Sequence, residues 1–233
     1  MKTIVGNWKM NGTKSAFEEM TKIISQINTT NRVVICPPFT LLYCETNGVA
    51  TGAQDISTHD NGAYTGEISG QMIAQTGAKY VIVGHSERRL YHNETDEIVK
   101  QKATMAIQNK LIPIICVGET LTERESGKTE KVIKNMLEMG IPNTDNTFMI
   151  AYEPRWAIGT GITPTPNEIE FVHNIIFEYL KNHNHETTSI LYGGSVSPLN
   201  ATMISEIPHV DGLLIGGASL KTDTFIPIIE SVK

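Results

Sequence analysis

The stretch PIICVGE, residues 113–119, is a short apolar run that ends in a glycine and a carboxylate. A run of this length, rich in β-branched residues, predicts a buried β-strand. Similar runs recur along the whole chain, and longer segments separate them. The predicted strands are Thr3–Val5, Val33–Ile35, Val49–Ala53, Tyr80–Val83, Pro113–Val117, Phe148–Ala151, Ile190–Tyr192 and Gly212–Ile215.

The segments between the strands have the periodicity of amphipathic helices. Apolar residues follow helical spacing from Phe17 to Ile27 and again from Ile169 to Leu180. Thr165-Pro-Asn-Glu168 predicts a helix start with a capping box, and Ser197-Pro198 predicts another. Dividing 233 residues among eight units gives about 29 residues each, close to the length of a βαβ step. We therefore expect an α/β fold, a single-domain (β/α)8 barrel spanning residues 1–233. A doubly wound open sheet is the alternative, but its G-x-G-x-x-G phosphate signature is missing after the first strand.

Composition excludes several classes of function. Hydrophobic residues make up 40% of the chain, and 19 basic residues face 25 acidic ones, for a formal net charge of −6. The basic residues are scattered, which argues against a nucleic-acid partner. No apolar run approaches the roughly 18 residues of a membrane span, so we expect a soluble, cytoplasmic protein. Three cysteines without a C-x-x-C pair fit reduced thiols better than a metal site.

Polar residues that follow different strands suggest one catalytic site. In a (β/α)8 barrel, chemistry lies at the C-terminal ends of the strands. Lys9 follows the first strand, His85 the fourth and Glu153 the sixth. Each alone is a weak signal, since a strand-end histidine is often structural and a single lysine is often a surface charge. Together they suit proton transfer next to a carbonyl, with a carboxylate as base and an imidazole and an ammonium polarising the oxygen.

Two glycine turns follow the last two strands. Gly193-Gly194-Ser195 comes after the seventh, and Gly216-Gly217-Ala218 comes after the eighth, directly before the predicted last helix. Glycine lets backbone N–H groups approach an anion closely, and a helix N-terminus favours negative charge. The alternative is that these glycines only turn the chain. Their occurrence after consecutive strands favours a phosphate site.

Longer motifs are spread over the whole chain: NWKMN (7–11), VGHSERR (83–89), CVGETL (116–121), ERESGKT (123–129), AYEPRWAIGTG (151–161), YGGSV (192–196) and GLLIGGASL (212–220). In these motifs the sequence resembles the triosephosphate isomerase family. The resemblance implies a TIM barrel that interconverts dihydroxyacetone phosphate and D-glyceraldehyde 3-phosphate through an enediolate, in glycolysis and gluconeogenesis. It also implies that no metal or organic cofactor takes part.

The resemblance assigns roles to matching residues. Glu153 would be the base that moves the carbon-bound proton, and His85 would act as a neutral imidazole. This pairing is the known chemistry of the family. Lys9 would stabilise the developing oxyanion, Asn7 would donate a hydrogen bond to the substrate, and Glu87 would be a second carboxylate of the site.

The resemblance further implies a mobile lid over the substrate. Glu119 would hold it open through Trp156, and Tyr192 would hold it closed. The phosphate would take backbone N–H groups from Gly159, Ser195, Gly216 and Gly217. The lid itself would comprise Pro154, Trp156, Ala157, Ile158, Gly159, Thr160 and Gly161.

The resemblance finally implies a homodimer, in which Thr65 reaches into the neighbouring subunit. Arg155 and Ile162 depart from the residues usual in the family, which bears on lid motion. Two other functions stay open from the residues alone. One is a catalytically idle phosphate-binding barrel, and the other is an isomerase acting on another phosphorylated sugar.

Overall fold

The computed structural model describes residues 1–158 and 164–233. Its sheet is a closed barrel of eight parallel strands in the order of the sequence. This confirms the predicted (β/α)8 fold and excludes the open sheet. The strands are β1 Thr3–Asn7, β2 Arg32–Cys36, β3 Ala50–Ala53, β4 Tyr80–Val83, β5 Ile112–Val117, β6 Met149–Tyr152, β7 Ser189–Tyr192 and β8 Gly212–Ile215.

α-Helices follow the strands and cover the outside of the barrel, except after β2, where the chain has a short 3-10 helix, Phe39–Leu41. Several begin at side-chain caps, and both Thr120 and Thr165 form capping boxes with a glutamate three residues later, which satisfies N–H groups that the first helical turn leaves free. Within the described residues the helices are α1 Lys14–Ile24, α2 Gly70–Gln75, α3 Ser86–His92, α4 Asp96–Gln108, α5 Leu121–Glu125, α6 Thr129–Gly140, α7 Pro166–Asn182, α8 Ala201–Ser205 and α9 Thr222–Ser231.

The first and last strands close the barrel. β1 and β8 pair in parallel, with Thr3 opposite Gly212 and Gly6 opposite Ile215. Gly212 is required at this seam, because a Cβ atom there would lie 2.0 Å from the carbonyl oxygen of Thr3. The site residues that follow β1 and β8 are therefore neighbours although they lie at opposite ends of the sequence.

The core has two layers, because successive residues of a strand point to opposite faces. Val5, Ile114 and Cys116 belong to a cluster inside the barrel. Ile4 and Ile115, their neighbours in sequence, belong to the larger cluster between the barrel and the helices. Both layers exclude water beneath the C-terminal rim, where the candidate site lies.

Two local predictions were wrong. Ser197-Pro198 does not start a helix, because α8 begins at Ala201, and the N–H of Ser197 instead donates to Asn200 Oδ1 at 2.7 Å. The turn at Gly216 does not run into the last helix either. A short 3-10 helix, Gly217–Ser219, comes first, and α9 begins only at Thr222.

In residues 1–158 and 164–233, no helix has the length and apolar character needed to cross a bilayer.

Candidate active site

A cavity of about 270 Å³ opens at the C-terminal ends of the strands. It brings together most of the side chains and turns that the sequence predicted for the site, from β1, β4, β6, β7 and β8. Leu214 and Val196 add apolar walls that the sequence did not single out. The predicted residues that line it are Asn7, Lys9, His85, Glu153, Ile158, Ser195, Gly216 and Gly217.

Glu153 is placed at the end of β6 by a bond from its own N–H to the carbonyl oxygen of Val117, 2.8 Å away. Its side chain is buried, and its carboxylate accepts hydrogen bonds from His85 Nε2 at 2.9 Å and from the Ser86 N–H at 2.8 Å. Burial raises the pKa of Glu153, but His85, the Ser86 N–H and Lys9 together lower it by a larger amount. The pKa of Glu153 therefore lies below its usual value. The carboxylate is therefore ionised at neutral pH, as a base must be.

His85 is the N-cap residue of α3 and faces Glu153 with its other ring nitrogen. Its Nδ1 accepts the Glu87 N–H at 3.1 Å, a role open only to an unprotonated nitrogen. Burial lowers the pKa of His85, but the carboxylates of Glu153 and Glu87 together outweigh burial and Lys9, so its pKa lies above the usual value. The contribution of Glu153 requires a charged carboxylate, so it is lost once Glu153 takes up a proton. The hydrogen bonds at the two ring nitrogens, with Nδ1 accepting from the Glu87 N–H and Nε2 facing the Glu153 carboxylate, favour a neutral ring with its proton on Nε2.

Lys9 is held in an uncommon backbone conformation with φ of 52°. Its Nζ lies 2.5 Å from Glu87 Oε1, and its N–H donates to Asn7 Oδ1 at 3.1 Å. The amide of Gln54 donates to the carbonyl oxygens of Lys9 and Cys36, both at 2.8 Å. Gln54 was not predicted from the sequence as a support for Lys9. Its position directly after β3, at the catalytic rim, was the available signal.

The two glycine turns lie side by side on the cavity wall. Gly194 is required there, because a Cβ atom would lie 2.2 Å from the hydroxyl oxygen of Tyr192. At Gly217 an added Cβ would meet no described atom within 4 Å, so its backbone faces open space. Ser195 completes the first turn, and its hydroxyl lies 3.4 Å from the carbonyl oxygen of Ala157. Backbone groups of both turns are thus accessible to an anion in the cavity.

A buried carboxylate anchors the start of the predicted lid. Glu119 is fully buried, and its Oε1 accepts hydrogen bonds from Trp156 Nε1 at 3.0 Å, the Tyr152 hydroxyl at 3.2 Å and Arg124 Nη1 at 3.3 Å. The guanidinium of Arg124 also lies 4.4 Å from the centre of the Trp156 ring. The Glu119–Trp156 contact implied by the resemblance is present, and Tyr152 and Arg124 are additional members that the sequence did not indicate.

The remaining predicted residues are placed outside the cavity or outside the described residues. Pro154, Trp156 and Ala157 follow Glu153 in a turn. Gly159, Thr160 and Gly161 of the lid, with Ile162, lie outside the described residues. Thr65 lies on an exposed loop after β3 and does not line the cavity of its own chain.

Comparisons with known proteins identify the relatives of this chain. A sequence model of the triosephosphate isomerase family matches residues 2–232. The chain belongs to the triosephosphate isomerase family. Proteins named triosephosphate isomerase from Alkaliphilus metalliredigens and Nitrosococcus oceani are 46% and 45% identical to it; the matches cover 97% and 98% of this chain and 98% and 97% of theirs.

A solved triosephosphate isomerase shares the fold of the chain. The crystal structure of the enzyme from Bartonella henselae superimposes with a TM-score of 0.89 at 38% identity, over 99% of this chain and 98% of that one. Membership in the triosephosphate isomerase family therefore agrees with the barrel and with the residues at its rim.

The part of the chain that the structure describes contains no group of three or more His, Cys, Asp or Glu residues suited to a metal ion.

Proposed function

We propose that the chain is an isomerase that interconverts dihydroxyacetone phosphate and D-glyceraldehyde 3-phosphate. Membership in the triosephosphate isomerase family supports this activity. The observation that carries the residue roles is the buried contact between Glu153 and His85, beside Lys9 and opposite two glycine turns. This arrangement combines a base, a hydrogen-bond donor and a cation with a place for phosphate.

The reaction begins with proton removal from carbon. The substrate carbonyl oxygen accepts the hydrogen bond from His85 Nε2 that the Glu153 carboxylate accepts in the free protein. Glu153 then accepts the proton from C1 of dihydroxyacetone phosphate. Negative charge then develops on O2, where the His85 N–H, the Lys9 ammonium and the Asn7 amide stabilise it. His85 moves a proton between O1 and O2. Glu153 returns its proton to C2, which gives the aldehyde at C1.

The phosphate group fixes the substrate for both proton transfers. Backbone N–H groups of Ser195, Gly216 and Gly217 support phosphate binding, and we propose Gly159 of the lid as a further donor. The cavity of about 270 Å³ is smaller than the roughly 300–1,000 Å³ typical of sites for larger ligands. This size favours a three-carbon phosphate over a longer phosphorylated sugar.

The base is tested by replacing Glu153 with glutamine, which keeps the shape of the side chain and removes its basicity. We expect Glu153→Gln to lower kcat by at least about a thousandfold, because proton abstraction loses its acceptor. A coupled dehydrogenase assay of glyceraldehyde 3-phosphate formation measures this. Glu178→Gln, on the exposed side of α7, is the control. A Glu153→Gln enzyme with wild-type kcat would remove Glu153 from the mechanism, and an inactive wild-type protein would favour the idle phosphate-binding barrel.

We also propose a homodimer in which Thr65 of one subunit enters the partner. A second cavity, of about 460 Å³, lies beside the catalytic one and includes Lys9, His85 and Gln54. Exposed apolar side chains, Met10 and Tyr91 among them, border it, with 95% and 72% of their surface accessible. A loop from a second copy would cover this surface and contact Lys9 and His85 on the side that faces away from the catalytic cavity.

The dimer is tested by charge insertion at Thr65. Thr65→Arg is expected to give particles near 25.7 kDa rather than twice that mass in light scattering, and to lower kcat. Thr187→Arg, at an exposed position before β7, is the control and should remain dimeric. A dimeric and fully active Thr65→Arg protein would contradict the proposed contact.

We further propose that the chain is one domain that works in the cytoplasm. The pairing of β1 with β8 joins the two ends of the sequence in one sheet, which supports one cooperative unit. The three cysteines, all within the described residues, are free thiols, which suits a reducing compartment. Coincident unfolding curves from fluorescence and circular dichroism would support the single domain, and cell fractionation tests the compartment.

A further inference from the structure

Arg155 is the residue of the lid start that the proposed mechanism does not use. It lies two residues after Glu153, and its N–H donates to the carbonyl oxygen of Glu119 at 3.2 Å. Arg155 is half-buried and is not part of the wall of the catalytic cavity. It borders a smaller cavity that includes Lys9 and Glu87 and, on its other side, a groove outside the barrel. A ligand in that groove would therefore contact the polypeptide that carries the catalytic base.

The groove is large, and its described lining holds five cations and three carboxylates, those of Asp96, Glu123 and Glu138. We call it the basic groove; it has a volume of about 730 Å³ and its cationic lining residues are Arg89, Lys128, Lys131, Lys134 and Arg155. Lys131, Lys134 and the acidic Glu138 recur at helical spacing, so they lie on one face of α6. This concentration of positive charge stands on a chain whose formal net charge is −6.

Several charges of the basic groove are already engaged. Arg89 pairs with Asp96 at 2.6 Å, and Lys134 pairs with Glu130 at 2.6 Å. The lining carboxylate of Glu123 accepts the N–H and the hydroxyl of Thr120, both at 2.8 Å. The two ion pairs therefore add little net charge to the groove, whereas Glu123 keeps its negative charge because its partners are neutral donors.

Three cations of the basic groove stay without such a partner. Among residues 1–158 and 164–233, Lys128, Lys131 and Arg155 form no ion pair or side-chain hydrogen bond. The two carboxylates of the described groove lining outside these ion pairs are Glu123 and Glu138. Burial raises the pKa of Tyr179 on α7, and the charge of Glu138 raises it further. The charge of Glu138 thus also acts on the side chain of Tyr179 on the neighbouring helix. The groove keeps an excess of positive charge.

We propose that the basic groove binds a small anion that carries several phosphate groups, and that this anion regulates the lid. Arg155, Lys128 and Lys131 would each donate to phosphate oxygens, which are strong charge-assisted acceptors. The larger volume, about 730 Å³ against about 270 Å³, suits a ligand larger than a triose phosphate. By holding Arg155, the anion restrains the residues that must move when the lid closes, and it lowers kcat. The regulatory part rests on the proposed isomerase function.

Binding is tested by calorimetry with tripolyphosphate on the full-length protein at constant ionic strength. The variant Lys128→Gln/Lys131→Gln removes two unpaired cations, both on exposed side chains. We expect the wild type to bind one more tripolyphosphate per chain than this variant, or to bind it at least about tenfold more tightly. Lys134→Gln is the matched control on the same helix, and its affinity should stay within about twofold of wild type because Lys134 is already paired.

Activity measurements separate the basic groove from the phosphate turns of the catalytic site. An anion at the turns competes with substrate and raises KM alone, whereas an anion in the groove lowers kcat at saturating substrate. The kcat effect should disappear in Lys128→Gln/Lys131→Gln, whose kcat without anion should equal that of wild type. Equal stoichiometry and affinity in wild type and double variant, or purely competitive inhibition, would overturn the proposal. A protein without isomerase activity that still shows the calorimetric difference would contradict only the proposed function and keep the anion site.

Discussion

His173 offers a test of how burial couples this fold to pH. It lies on α7, is fully buried, and contacts the rings of Tyr152 and Tyr192, with centroids 6.0 and 6.4 Å away. Its Nδ1 lies 2.8 Å from the carbonyl oxygen of His209. A carbonyl oxygen only accepts, so the ring donates from Nδ1, and among the described residues Nε2 has no hydrogen-bond partner. Burial lowers the pKa of His173 from 6.5 to about 4.

This lowered pKa makes stability depend on pH with a defined sign. At pH 5 the unfolded chain binds a proton at His173 and the native chain does not, so acidification favours unfolding. The stabilisation is complete above the unfolded pKa of 6.5 and is lost as the pH falls towards the folded value of about 4. Between pH 7.5 and pH 4.5, the linkage relation gives a loss of about 2.5 kcal/mol from this one residue.

The test compares urea unfolding of wild type and His173→Asn at pH 7.5 and pH 4.5. Asparagine keeps a donor near the position of Nδ1 and does not titrate. We expect His173→Asn to be less stable than wild type at pH 7.5, because it leaves a cavity. Its loss of stability on acidification should be smaller than that of wild type by about 2.5 kcal/mol. Protein concentration is held fixed, since dimer formation would make stability depend on it.

His183→Asn is the matched control, because His183 is an exposed histidine at the end of α7 whose Nδ1 also contacts a carbonyl oxygen, that of Tyr179, at 2.7 Å. Its loss of stability on acidification should follow that of wild type. If His173→Asn loses as much stability as wild type between the two pH values, burial of His173 is not the source of the acid sensitivity.

Two further substitutions test the support of the catalytic side chains. Gly118→Ala would place a Cβ atom 1.7 Å from the carbonyl oxygen of Glu153, so we expect a loss of at least about 1–3 kcal/mol of stability in urea unfolding. It should also lower kcat about a hundredfold because Glu153, the proposed base, moves. A stable, fully active variant would contradict the close contact. Gln54→Leu removes both bonds that hold the backbone of Lys9 and Cys36, and steady-state kinetics should show kcat reduced by about tenfold or more with little change in stability. Unchanged kcat would mean that Lys9 keeps its conformation without the amide.

Much of the fold could be predicted because the strand signal is local. Tyr80–Val83 and Gly212–Ile215 match the predicted strands residue for residue. β1, β2, β5 and β7 extend beyond the predicted runs by one or two residues, such as Asn7 and Arg32, whose pairing depends on the neighbouring strand rather than on their own composition. β3 is one residue shorter than predicted, and β6 is shifted by one residue. The cap of α7 was predicted correctly because both halves of its capping box lie within four residues.

The errors and omissions came from long-range contacts. The chain after Gly217 turns before α9, and Trp8 Nε1 donates to the carbonyl oxygen of Ser219 at 3.1 Å across the whole sequence. Gln54 supports Lys9 only because β1 and β3 end at the same rim. Because the site residues follow different strands of one barrel, the sequence predicted that they meet at one rim. Their individual hydrogen bonds, such as that between Glu153 and the Ser86 N–H, depend on side-chain geometry that the sequence pattern does not contain.

The pairing of β1 with β8 also has a consequence for synthesis on the ribosome. The barrel cannot close until Gly212–Ile215 has been made, so any sheet that the earlier strands form before then has two unpaired edges. Such edges are templates for pairing with other chains. A nascent chain stalled before Gly212 is therefore a candidate for chaperone binding or aggregation, whereas the finished chain hides both edges against each other.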